Sequence, residues 1–153
     1  MAIGGFAKIK HAACSVTYAV CAFHFVTHYA VDVTLTKGPS MSPVISERGS
    51  LVLYLKPPLL RLLRGSSAPL YREGDIVIGV SPTDPGRHIC KRICATEFSR
   101  RRSFVVPRGY VWLEGDNKSN SLDSRYYGAV SSHLLLGKVF FVVSLDRGAA
   151  IVY

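Results

Sequence analysis

The distribution of apolar and charged positions divides this chain into two parts. From Ala12 to Val31 there is no Asp, Glu, Lys or Arg. At about 1.5 Å per residue a helix of that length spans roughly 30 Å, the hydrocarbon thickness of a bilayer. Lys8 and Lys10 precede the run and Asp32 follows it. The pattern predicts an N-terminal tail over residues 1–11, a transmembrane anchor over 12–33 and one domain over 34–153. The basic flank sets the N-terminus on the cytoplasmic or matrix side, with the domain across the membrane. Ser15, Thr17, His24, Thr27 and His28 dilute the hydrophobicity. The run is longer than the roughly 7–15 residues of a secretory h-region, so an anchor ranks above a cleaved signal and above a buried soluble helix.

Beyond the anchor the apolar stretches are short and rich in β-branched and aromatic residues. They are Leu51–Leu55, Ile76–Val80, Ile89–Ile93, Phe104–Val106, Tyr110–Leu113 and Val139–Val143. Gly, Pro, Asp and Asn punctuate them, which predicts a mainly β, antiparallel domain. One helix is expected from Pro57-Pro58-Leu59-Leu60-Arg61-Leu62-Leu63-Arg64-Gly65. Proline suits its first turn and glycine its C-terminal cap. Its leucines cover the sheet or rest on a membrane, with the sheet favoured.

Composition narrows the function classes. Apolar residues make up 48% and charged residues 19%, which excludes a disordered chain. The net charge of +9 raises nucleic acid or an anionic membrane as partners. The basic run Arg100-Arg101-Arg102 before Ser103-Phe104 has neither aromatic interleaving nor a recognised module around it, so nucleic acid is not expected. The four cysteines form no disulfide framework: Cys90 and Cys94 on one strand lie roughly 13 Å apart. His24 and His28 share a helix face but lack the HExxH arrangement and a third ligand, so no metal is expected.

Two segments carry possible chemistry. The first is the turn Gly38-Pro39-Ser40-Met41-Ser42-Pro43. The second is Ile89-Cys90-Lys91-Arg92-Ile93-Cys94, where strand alternation puts Lys91 on the same face as Ile89 and Ile93. A lysine on an apolar face is either an edge residue snorkelling to water or a desolvated base. At its ordinary pKa of about 10.4, roughly one lysine in a few thousand is neutral at pH 7. Burial lowers that pKa by up to about 3–5 units, enough to make a general base. Serine needs such a base to attack a carbonyl, so Ser40 and Lys91 form a candidate Ser–Lys dyad. His88 and His133 are lesser alternatives as the base. The G-x-S-x-G elbow is absent because Ser42 occupies its second glycine position.

Four blocks in register then carry a family resemblance. They are Gly38-Pro39-Ser40-Met41 with Pro43; Arg72-Glu73-Gly74-Asp75-Ile76-Val77; Ser81-Pro82-Thr83-Asp84-Pro85 leading to Ile89-Cys90-Lys91-Arg92; and Val111-Trp112-Leu113-Glu114-Gly115-Asp116-Asn117 with Asn120-Ser121, Asp123-Ser124-Arg125 and Gly128. Together they resemble the type I signal peptidases, and within them the mitochondrial inner-membrane branch. The resemblance runs from the anchor to about Phe141. It implies a largely antiparallel β domain resting on the membrane, with Ser40 as nucleophile and Lys91 as general base. Ser121 matches the serine that positions the lysine, and the Ser40 backbone N–H contributes to the oxyanion hole. Asp116, Asp123, Arg125 and Arg92 match charged positions that hold the site, with Arg92 paired to Asp116. The resemblance further implies no metal or cofactor. The implied partners are precursor proteins bearing sorting peptides, inner-membrane lipid and a related second peptidase subunit. The peptidase domain is expected to face the intermembrane space.

Two departures from the family pattern bear on activity. Gly38 stands where some members carry a serine that donates to the oxyanion, so that side-chain donor is missing. The Gly-x-x-Gly-Asp segment that usually follows Lys-Arg is also absent, and the chain reaches Trp112 early. A hairpin shortened beside Lys91 leaves open whether the lysine stays desolvated enough to act as a base. The alternatives are therefore an impaired or inactive subunit on the same fold, or a secretory or bacterial-type leader peptidase.

Overall fold

Ile76-Val77-Ile78 is apolar at successive positions because both faces of that strand are covered. Ile76 and Ile78 join one core cluster with Met41, Ile45, Val52 and Val142. Val77 points the other way, into a second cluster with Leu60, Tyr71, Ile93, Leu113 and Leu135. The computed structural model that establishes this describes residues 3–101, 104–144, 146 and 148–152. Arg102 and Ser103, which belong to the expected basic run, lie outside the described residues.

The elements, in chain order, are α1 (Ile3–Tyr29), β1 (Val31–Thr36), β2 (Ser50–Leu55), α2 (Pro57–Arg64), β3 (Ile76–Val80), β4 (His88–Ala95), β5 (Arg100–Arg101), β6 (Phe104–Val105), β7 (Tyr110–Glu114), α3 (Ser124–Tyr127), β8 (Val130–Ser131), β9 (Leu135–Ser144) and β10 (Gly148–Ile151). The main sheet runs β1-β2-β9-β3-β4-β7-β8, with β10 added to β9, while β5 and β6 form a separate two-stranded ribbon. Every pairing is antiparallel. The mainly β, antiparallel expectation therefore holds. Each expected strand is present, and α2 closes at Gly65, whose N–H donates to Arg61 O. On α2, Leu60 is buried in the core, whereas Leu62 and Leu63 are exposed.

The N-terminal region differs from expectation. Helix α1 already includes residues 3–11, and β1 takes over at Val31, so the end of the 12–33 segment belongs to the sheet. Among the described residues no helix is long and apolar enough to cross a membrane. Polar side chains interrupt the apolar surface of α1. The Thr17 and Thr27 hydroxyls donate back to Ala13 O and Phe23 O, both at 3.0 Å, which satisfies them without making the helix more apolar. The helix is held at its C-terminal end. Lys56 Nζ donates to Thr27 O at 2.8 Å and lies 3.0 Å from Asp32 Oδ2. Val16, Tyr18, Val20, Phe23 and Phe25 are exposed.

Candidate active site

Three segments converge on one end of β4. The first is the turn that bears Ser40. A 3₁₀ turn spans Pro39–Met41, preceded by Gly38 at φ 121°, a backbone conformation that favours glycine. Gly38 N–H donates to Glu47 O at 3.2 Å and Ile45 N–H to Met41 O at 2.9 Å. Met41 and Ile45 are core residues, so packing holds the turn from below while Ser40 stays half-buried.

The second segment is β4 itself, where Lys91 pairs in register with Val77 of β3. Lys91, Ile93 and Ala95 are the buried positions, so the alternation that set Lys91 on the apolar face holds. Lys91 is only 5% exposed, so the shortened hairpin does not leave it hydrated. Its cover comes from the sheet and the turns around β4 rather than from the missing segment. Burial lowers its pKa, against the pull of Cys90 and Asp123. Burial also pushes the neighbouring Cys90 thiol up to about 12, so that group is no nucleophile at neutral pH.

The third segment is the loop that leaves β7 and enters α3. Arg92 grips Asp116 through Nε–Oδ1 and Nη2–Oδ2, both 2.8 Å, and also donates to Gly74 O at 2.8 Å. The expected Arg92–Asp116 pair is thus present. It ties the loop to β4, because Glu114, two residues before Asp116, is in register with Arg92. Asp123 has no exposed side-chain surface and takes Gly115 N–H at 3.0 Å on Oδ2. Arg125 closes on the same carboxylate through Nε and Nη2 at 2.8 Å. Burial alone would raise the Asp123 pKa, but the Arg125 pair, the Gly115 N–H and the nearby Ser121 hold it well below the usual carboxylate range. Ser124 Oγ accepts Leu113 N–H at 2.9 Å, anchoring α3 to β7.

These segments meet at Gly115. A Cβ there would lie 2.5 Å from Ser40 O and 2.6 Å from Ser121 Cβ, so only glycine lets the Ser40 turn and Ser121 close on the same point. Asn117 N–H donates to Ser40 O at 3.0 Å, completing the clasp. Ser121 is buried, yet its Oγ makes no well-formed hydrogen bond among the described residues. A buried hydroxyl left in that state costs about 1–3 kcal/mol, which marks it as held ready for a partner.

Ser40 and Lys91 line a common cleft of about 370 Å³. Met41, Ile45, Ile78 and Leu122 give it apolar lining, and Asp84, Arg87 and His88 add polar groups. His88 therefore lines the same cleft as the candidate nucleophile, whereas His133 lies in a different one. Tyr127 also lines the Ser40 cleft, and sequence reasoning missed it. Its hydroxyl is buried without a partner among the described residues, and burial raises its pKa to about 12. Its position just before the Gly128 cap was the one signal for it. Among the described residues no group of His, Cys, Asp and Glu could hold a metal.

The antiparallel sheet thus carries Ser40 and Lys91 in one cleft. The chain belongs to the signal peptidase family, peptidase S26, which matches residues 94–144. It is 39% identical over 134 residues to mitochondrial inner membrane protease subunit 1 of Mus musculus, covering 80% of this chain and 75% of that protein. The Schizosaccharomyces pombe subunit 1 is 37% identical over 124 residues, covering 76% and 75%. Subunit 2 of the Saccharomyces cerevisiae protease is 29% identical over 126 residues, covering 77% and 71%. The chain is accordingly a serine signal peptidase of the mitochondrial inner membrane.

Proposed function

We propose that Ser40 and Lys91 form the Ser–Lys dyad of this peptidase, cutting sorting peptides from precursors delivered to the intermembrane space. The observation that carries this reading is a desolvated lysine sharing a cleft with a serine on a clasped turn. Neutral Lys91 Nζ takes the Ser40 hydroxyl proton as Oγ bonds to the scissile carbonyl carbon. The oxyanion forms beside the Ser40 backbone N–H, at the start of a turn whose first N–H groups lack helical partners. The Lys91 ammonium then protonates the leaving amine as the C–N bond breaks. Water then attacks the acyl carbon and gives its proton to Lys91, which passes it to Ser40 Oγ as the Oγ–C bond breaks and the peptide acid leaves.

Ser121 Oγ is assigned to orient Lys91 Nζ, which supplies the partner it lacks. Asp116, Asp123, Arg92 and Arg125 hold Gly115 and Ser121 in place. The subunit 1 and subunit 2 relatives support a hetero-oligomer with a related peptidase. The exposed apolar residues of α1 are assigned to contact with inner-membrane lipid. The test is S40A and K91A on a presequence peptide. Each variant is expected to stay folded and lose cleavage; wild-type rates in either would refute the dyad and favour an inactive scaffold with another source of activity.

A further inference from the structure

A second cleft shares no lining residue with the first. It encloses about 820 Å³ between α2, the turns on either side of the β5–β6 ribbon and the start of β9. Three basic side chains line it: Arg61 from α2, Arg108 just before β7 and His133 just before β9. The single carboxylate in its lining, Glu97, is engaged through Oε2 by Gly109 N–H at 2.9 Å. Arg61 spends one N–H on Ala68 O at 3.1 Å and keeps its remaining donors. Ser66, Ser67 and Ser132 add hydroxyls to the same lining.

Large apolar side chains flank this basic cleft along the chain. Leu62 and Leu63, next to Arg61, are 78% and 65% exposed. Leu62 lies two positions after the buried Leu60, so it stands on the outer side of α2, where nothing in the core requires leucine. On the other bank Phe98 follows Glu97 and is 68% exposed. Its φ is 65°, the left-handed region. An exposed aromatic held at positive φ gains no core packing in return for a backbone cost on the order of 1–3 kcal/mol, which points to use of the side chain outside the fold.

We propose that this face docks on an anionic phospholipid surface, with a headgroup phosphate in the cleft between Arg61, Arg108 and His133. Leu62, Leu63 and Phe98 then enter the headgroup–acyl boundary, as apolar residues beside basic ones do at interfaces. Charge complementarity selects the occupant. Guanidinium groups match phosphate oxygens in fork geometry, and the one competing carboxylate is already bonded. This extends the assignment of α1 to lipid contact. It would hold the Ser40 cleft in a set orientation to the membrane, since both clefts sit on one continuous sheet.

The experiment uses the full chain carrying L62W, with the spectrum of the chain without this substitution, which holds Trp112, subtracted so that the signal reports on this face and not on α1. Vesicles of phosphatidylcholine are compared with vesicles containing phosphatidylglycerol. A shift to shorter wavelength with the anionic vesicles alone is expected. In the R61Q/R108Q background the vesicle concentration needed rises about thirty-fold, from roughly one basic-residue contribution each. Soluble glycerol phosphate should not reproduce the shift. No shift, an equal shift with neutral vesicles, an unchanged titration in R61Q/R108Q, or full reproduction by glycerol phosphate each overturns the lipid surface. Cleavage of a short peptide in detergent is measured on the same variants. It should stay at the wild-type rate, and its loss in S40A alone separates a failed dyad from a failed docking face.

Discussion

Asn117 donates its backbone N–H to the carbonyl oxygen of Ser40 at 3.0 Å, fastening the candidate nucleophile's turn to the loop after β7. The bond exists because Gly115, two residues earlier, has no Cβ to hold the chains apart. Nucleophile position and the supporting carboxylate network are thus one mechanical unit.

Replacing Gly115 with Ala should separate them. The added methyl meets Ser40 O and Ser121 Cβ at distances no Cβ tolerates, so one segment must move. Overpacking of this kind costs about 1–3 kcal/mol, and a displacement near 1 Å costs roughly a hundredfold in rate. G115A is expected to lower Tm modestly and kcat by about a hundredfold or more. Wild-type kcat in G115A would show that the clasp does not position Ser40.

Lys91 should govern the pH dependence. Its folded pKa lies below the ordinary 10.5, so activity should rise with pH through that lowered value as the amine becomes neutral. The unfolded chain binds the proton more tightly than the fold does, so stability rises with pH as well. The burial penalty is full below the folded pKa and fades as pH climbs toward 10.5. K91M should therefore raise Tm at pH 7, with a gain that shrinks as pH approaches 10.5. A flat rate profile, or a Tm gain independent of pH, would contradict a desolvated base.

Asp123→Asn tests the network under the site. Removing the charge of the buried Asp123 weakens its hold on the buried Gly115 N–H, a charge-assisted bond worth about 1.5–3 kcal/mol, and leaves the exposed Arg125 without its carboxylate. Because the Asp123 pKa is lowered by folding, its contribution is present above about pH 4 and is lost as pH falls through the folded value. Urea midpoints should separate wild type from D123N at pH 7 and converge as pH drops below about 3. Equal midpoints at pH 7 would remove Asp123 from the stabilising set.

Much of this was legible in the order of residues. Strand alternation through His88–Ala95 placed Lys91 beside Ile93 on the covered face, because a side-chain period of two leaves no other choice. The prolines and Gly65 bounded α2, and the four blocks placed Ser40 and Lys91 together. Strand β1 was partly hidden by the anchor expected over 12–33, which took in its first three residues, Val31-Asp32-Val33. Its strand character comes from pairing with β2, and pairing partners are remote in sequence.

The hydration of Lys91 was the question local pattern left open. A missing segment next to a residue removes neighbours in sequence, whereas burial is set by neighbours in space. Packing of β3, the Ser40 turn and the loop around Gly115 against β4 keeps Lys91 covered. The sequence by itself determined the residue types, their faces on each strand and the chemistry they are capable of, since these follow from local geometry. Only the tertiary structure decided which of nineteen basic residues loses water, how Ser40 is clasped and that Arg61, Arg108 and His133 share a cleft. Desolvation and juxtaposition are properties of chain segments brought together from far apart, and no local pattern contains them.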